Sequence, residues 1–141
     1  MKPGALHTLG LCCAVALLPW VAPAAAAGLP TAVESAFQSY VSLPDALLPV
    51  LESARDKASA DRAAADLQAL LPRVYEARCA LRKIESLTPE EQRLVRERYE
   101  TAMRTRWGKV FDHIFRLQRK RCYESINFFK HFNTFCVMLE K

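Results

Sequence analysis

The last 52 residues of this 141-residue chain, 90–141, contain no proline and a single glycine, Gly108. Hairpin turns depend strongly on glycine and proline, so a stretch of this length with one glycine and no proline offers few sites for strand connections. Apolar residues instead recur every three or four positions, which is the period of an amphipathic helix. The pattern predicts an all-α fold, either an antiparallel helical hairpin or a small helical bundle, with an aromatic-rich C-terminal helix.

The first 27 residues differ in composition from the rest. Lys2 is their only Lys, Arg, Asp or Glu, an apolar run extends from Leu9 to Val21, and small residues follow up to Ala27. This arrangement is typical of a cleaved secretory signal peptide, and the apolar run is short for a membrane anchor. We therefore expect export to the bacterial periplasm or the cell exterior, with no transmembrane segment left after cleavage.

Residues 28–141 are long enough for a single helical domain with its own core and too short for a two-domain enzyme. Two short helices are expected first. Thr31 and Glu34 match a capping box at the start of one, and Pro44 marks the start of the other.

Two long helices should follow. The first begins near Ser59, includes Pro72 as a kink or brief break, and has a heptad-like apolar stripe. The stripe consists of Ala63, Leu67, Leu70, Val74, Ala77, Leu81 and Ile84. Thr88 and Pro89 provide the N-cap and first-turn proline of the second helix. Because the connection is short, we predict a long antiparallel hairpin over about 59–121, followed by an aromatic, cysteine-containing tail, 122–141.

Part of the chain, from about residue 44 to 105, resembles a known type of protein. It contains Leu47-Leu48, the run Asp56–Leu67 and, after a helix, Thr88-Pro89-Glu90-Glu91. In this order the residues resemble small secreted bacterial helical-hairpin proteins of unknown function, which implies export and a hairpin but no activity. Leu87–Gln92 is more weakly similar to periplasmic envelope-stress chaperones.

Charge is distributed unevenly along the chain. Ten basic and three acidic residues lie between Arg93 and Arg121, a net charge of +7, whereas residues 28–78 have five basic and seven acidic residues, a net charge of −2. Clustered arginines either bind carboxylate, phosphate and sulfate groups or pair with acids on a solvated surface, and both interpretations stay open. An anion-binding surface would use Arg96, Arg104, Lys109, Arg116, Arg119, Lys120 and Arg121.

Three cysteines follow the predicted signal peptide. A turn within residues 127–133 would let Cys122 and Cys136 form a disulfide, which export permits. Cys79 would then be unpaired or bridge two subunits, unless a tail folded further back let it pair with Cys122 or Cys136. His113 and His131 with the two tail cysteines match no compact metal-ligand spacing, so no metal site is predicted.

Catalytic motifs are absent from the sequence, which has no glycine-rich phosphate loop, no His-Glu-x-x-His and no Gly-x-Ser-x-Gly. We predict an exported, non-catalytic interaction or structural module without a cofactor. The alternative is a periplasmic chaperone-like protein, or one that binds acidic polysaccharide or lipid headgroups. The expected partner is a protein or an acidic polymer; export disfavours nucleic acid, and a homodimer stays an open alternative.

Overall fold

The computed structural model describes residues 28–140, and the predicted signal peptide lies outside this range. The described residues form four helices and no strand: α1, Thr31–Ser53; α2, Lys57–Arg82; α3, Pro89–Arg119; and α4, Ile126–Glu140. The all-α prediction is confirmed as a helical bundle, and the aromatic C-terminal helix is present. None of the four described helices has an apolar stretch of the length that a membrane span requires.

Helix α1 packs against both α2 and α3, and α4 packs against α2. Glu34 of α1 pairs with Arg98 of α3, and further along both helices Arg116 of α3 donates to the carbonyl groups of Leu51 and Ala54. This order of contacts makes α1 and α3 parallel. The three-residue link between α1 and α2 makes that pair antiparallel.

The prediction that the two long helices pack directly against each other is wrong. Both helices form, but α2 and α3 are not in contact over the described residues, and α1 packs against each of them. Two features explain the difference. Helix α1 is continuous over 23 residues, so it is long enough to pack along both. The link 83–88 spans up to about 20 Å, enough to pass across a helix.

Helix α1 replaces the two short helices expected from the sequence, and Pro44 and Pro49 lie inside it. Proline lacks an N–H group, so the carbonyl four residues earlier loses its helical donor. For Pro44 this is the Tyr40 carbonyl, to which Nε1 of Trp107 in α3 donates over 3.2 Å. A contact with another helix therefore supplies the donor that Pro44 lacks, and α1 continues through the position where a second helix was expected to begin.

The helix starts agree only partly with the predicted caps. Asp56, rather than Ser59, is the N-cap of α2, and each of these side chains bonds to the other residue's backbone amide. The start of α1 has no side-chain cap, so the predicted role of Thr31 is wrong. Thr88 caps α3 as predicted. Of the kink or brief break expected at Pro72, the break is absent, because α2 continues through this residue.

One hydrophobic core joins the four helices, and the predicted stripes supply much of it. Its buried members include Ala63, Leu67, Val74 and Ala77 from α2, Trp107, Val110, Ile114 and Leu117 from α3, and Phe128, Phe132 and Phe135 from α4. The buried residues of α3 all lie in its second half, from Trp107 onward. The second half of α3 is therefore the part most firmly attached to the bundle.

A left-handed turn, Arg121–Glu124, connects α3 to α4. Its four residues have positive φ angles between 47° and 61°. Residues with a Cβ atom disfavour this conformation by about 1–2 kcal/mol each, so the turn depends on compensating contacts. The Cys122 side chain is buried, and the backbone amide of Tyr123 donates to the Lys120 carbonyl over 2.8 Å.

Ser125 follows the turn and attaches α4 to α2. Its buried hydroxyl donates to the Asp61 carboxylate over 2.6 Å and accepts from the amide of Phe128 over 3.1 Å. Hydrogen bonds from Lys57 and then Ser125 lower the pKa of Asp61. Helix α4 therefore begins beside the start of α2, and α2 and α4 are parallel.

Candidate functional site

Several basic side chains of α3 are neutralised by acids. Arg98 pairs with Glu34 and Arg106 with Asp45, over 2.8 and 2.9 Å, which ties α3 to α1. Pairs within α3 join Arg93 to Glu90 and Glu97, and Arg104 to Glu100. For these residues the structure supports the solvated, ion-paired surface, and Arg104 leaves the predicted anion-binding set.

Arg116, also predicted to bind an anion, is used inside the fold. Its Nη2 atom donates to the carbonyl oxygens of Leu51 and Ala54 over 2.6 and 3.2 Å. These carbonyls lie at the C-terminal end of α1, where helical donors are missing and the helix dipole favours a cation. Arg116 therefore caps α1, and its predicted role as an anion ligand is replaced by this structural one.

The other five predicted residues, Arg96, Lys109, Arg119, Lys120 and Arg121, are exposed and have no acidic partner among residues 28–140. The structure does not gather all five. Arg96 precedes Arg119 by 23 positions, or about 35 Å along a helix. Arg119, Lys120 and Arg121 are adjacent at the end of α3 and form the only run of three consecutive cations among residues 28–140.

Two phenylalanines of α3 lie near these cations and were missed by the sequence analysis. Phe111 and Phe115 are 42% and 58% exposed. They are four residues apart, and Arg119 follows at the same spacing, so all three lie on one face of the helix. The sequence does contain a signal for them, because these two apolar residues lie outside the stripe of α3 that is buried in the core. We call Phe111, Phe115, Arg119, Lys120 and Arg121 the α3 end surface.

The predicted disulfide between Cys122 and Cys136 is wrong. The three described cysteines are free, and no two of them lie at disulfide distance. The turn expected within residues 127–133 does not form, because α4 continues through it. Burial raises the pKa of both Cys122 and Cys136 to about 11. The nearby Cys136 thiol adds to the shift of Cys122, and the Glu140 carboxylate adds to the shift of Cys136. These thiols are therefore weak nucleophiles near neutral pH.

Cys79 lies apart from the other two cysteines, where two cavities flank it and Tyr75. One is an open cleft of about 690 Å³ that includes Ala32 and Val33 at the start of α1. The other, of about 250 Å³, lies between α2 and α4. Over residues 28–140, no group of three or more His, Cys, Asp or Glu side chains is placed to hold a metal ion.

Comparison of the chain with protein-family models, curated proteins and solved structures finds no match. The resemblance of residues 44–105 to small secreted helical-hairpin proteins, and the weaker one to envelope-stress chaperones, stay predictions. The candidate site therefore rests on the exposed residues of α3 and on the two cavities.

Proposed function

We propose that this chain is an exported, non-catalytic binding module that holds an acidic partner at the α3 end surface. The proposal rests on a difference between the basic residues along α3 and those at its C-terminal end. Arg98 and Arg106 pair with acids of α1, and Arg116 caps α1. Arg119–Arg121 instead have no acidic partner among the described residues. Adjacent cations left exposed in this way attract anionic partners.

The exposed aromatic side chains indicate which kinds of anionic partner fit this surface. Asp112 is the only acid in segment 111–121, whose net charge is +3 from four basic residues and this one acid. A partner with anionic groups alone would leave Phe111 and Phe115 uncovered. An acidic protein segment or an anionic lipid surface has apolar groups beside its charges and can cover both rings. These partners fit the surface better than a polysaccharide does.

The proposal is tested by binding to heparin, to an acidic peptide and to vesicles containing an anionic lipid, first at low salt. Binding should weaken strongly at about 0.5 M NaCl, where exposed charges are screened. A variant with Arg119→Gln, Lys120→Gln and Arg121→Gln should lose binding to all three. Phe111→Ser with Phe115→Ser should weaken binding to the peptide or vesicles and leave heparin binding unchanged.

The matched control removes three charges that are already paired on the same helix, through Arg93→Gln, Arg98→Gln and Arg104→Gln. We expect it to retain most of the binding. No binding of the unmodified chain at low ionic strength, or equal loss in the two triple variants, would contradict the proposal.

A chaperone-like role is the second candidate, favoured by the exposure of four apolar side chains. These are Phe111, Phe115, Ile126 and Phe129. Exposed apolar groups bind unfolded chains that present similar groups. The chain should then suppress aggregation of several unfolded clients, and Phe111→Ser with Phe115→Ser should weaken the effect while the Arg119–Arg121 variant keeps it. Unchanged client aggregation would exclude this role.

A further inference from the structure

The smaller cavity, between α2 and α4, combines apolar walls with cationic groups. It is lined by Tyr75, Arg78, Cys79, Arg82, Thr134, Val137 and Met138. Val137 and Met138 make the α4 side largely apolar, while two arginines come from α2. No carboxylate is among the lining residues. The cavity therefore offers an apolar surface next to positive charge that its own walls do not neutralise.

Arg78 is one of the two cationic residues in the cavity wall. Its Nε atom is buried and has no hydrogen-bond partner among the described residues. The guanidinium lies beside the Tyr40 hydroxyl, where burial raises the pKa of Tyr40 and the arginine opposes that shift. A hydroxyl does not neutralise the charge of the guanidinium, so Arg78 keeps a positive charge at the cavity wall that an anion can meet.

Arg82 stands next to Arg78 on the same side of α2. The two are four residues apart, so their side chains are neighbours on the helix surface. Neither pairs with an acid within residues 28–140. Two guanidinium groups at this spacing can share the two oxygens of one carboxylate, with the planar, multiple hydrogen bonding that arginine provides.

We propose that this cavity binds an apolar monocarboxylate, with its carboxylate on Arg78 and Arg82 and its alkyl chain along Val137 and Met138. The volume of about 250 Å³ sets the size. A carboxylate of about six carbons is small enough for this volume even at about 30 Å³ for each non-hydrogen atom, the volume of a water molecule in the liquid. This site is separate from the α3 end surface and does not depend on the proposed function.

Cys79 provides a local reporter because it lines the cavity and is half-buried. The experiment follows alkylation of Cys79 by peptide mass spectrometry in the intact chain, with increasing hexanoate. Hexanoate should slow the reaction at Cys79 and leave Cys122 and Cys136 unchanged. Acetate has the charge without the chain, and hexan-1-ol has the chain without the charge, so each should protect at least about tenfold less well. Calorimetric titration gives the affinity independently.

Variants test the assigned contacts. Arg78→Gln and Arg82→Gln should each weaken hexanoate binding by about tenfold or more, as loss of a charged hydrogen bond does. Arg78 is half-buried, so Val137→Glu provides a second test at an exposed position: it places a carboxylate at the cavity and should abolish binding. Arg62→Gln, on the exposed surface of α2, is the matched control and should bind normally.

The Arg119–Arg121 variant should also bind hexanoate normally, which separates this site from the α3 end surface. The proposal is overturned if calorimetric titration detects no hexanoate binding, if hexan-1-ol binds equally, or if Arg82→Gln and Val137→Glu bind hexanoate as the unmodified chain does.

Discussion

Trp107 Nε1 donates to the Tyr40 carbonyl oxygen over 3.2 Å, and the two aromatic rings stack with centroids 4.6 Å apart. This carbonyl is the one that Pro44 leaves without a helical donor. Trp107 of α3 thus supplies the hydrogen bond that the α1 backbone lacks and packs against the Tyr40 ring. The contact explains how α1 continues past Pro44 and where the second half of α3 is attached.

Trp107→Phe should lower the free energy of unfolding by about 1–3 kcal/mol, because it keeps a ring but leaves a part-buried carbonyl without a donor. Pro44→Ala restores an amide that can bond to Tyr40, so the tryptophan substitution should cost less in that background. Urea denaturation of the four proteins in this double-mutant cycle should give a coupling of about 1 kcal/mol. Equal costs in the two backgrounds would show that the indole bond does not replace the helical one.

Arg116→Met should lower the free energy of unfolding by about 1.5–3 kcal/mol, since a charged donor to two terminal carbonyls is lost while the apolar stem is kept. Arg119→Met removes the same charge from an exposed side chain and should change stability by less than about 0.5 kcal/mol. Binding to anionic vesicles should show the opposite order, with Arg119→Met the weaker binder. Urea denaturation and vesicle binding of both variants check this, and equal stability would refute the cap.

Local patterns predicted the helices of this fold better than the contacts between them. The stripes through Leu67 and Trp107 and the Thr88 cap depend on neighbouring residues, so the sequence displays them directly. The continuity of α1 depends on Trp107, 63 positions after Pro44, and no local pattern shows such a donor. Arg116 was misassigned for the same reason, because a charge count cannot distinguish a helix cap from a free cation.

Glu124→Gly should raise the free energy of unfolding by about 0.5–1 kcal/mol, because Glu124 has a φ angle of 61° and glycine adopts this region without a steric penalty. Its exposed side chain has no hydrogen bond or ion pair within the described chain that would be lost. Ala69→Gly, at an exposed position inside α2, is the control and should lower stability by about 1 kcal/mol. Urea denaturation should therefore give opposite signs for the two glycines; destabilisation by both would argue against the left-handed turn.

The raised pKa of the Cys122 and Cys136 thiols predicts that the folded chain loses stability at alkaline pH. Burial raises the pKa of each from an ordinary value of 9.0 to about 11 in the folded chain. The unfolded chain therefore loses these protons first. Their stabilising contribution is complete below about pH 9 and disappears as the pH rises through about 11.

Cys136→Ser removes one of these titrations with little change in volume, and Cys79→Ser is the matched control at another half-buried cysteine. Urea denaturation from about pH 8 to about pH 10.5 should show stability falling with pH less steeply for Cys136→Ser than for the unmodified chain, since one proton-linked contribution is gone. Lysines and tyrosines titrate in every variant, so the difference between curves isolates the thiol. Parallel curves for Cys136→Ser and the unmodified chain would contradict a raised pKa at Cys136.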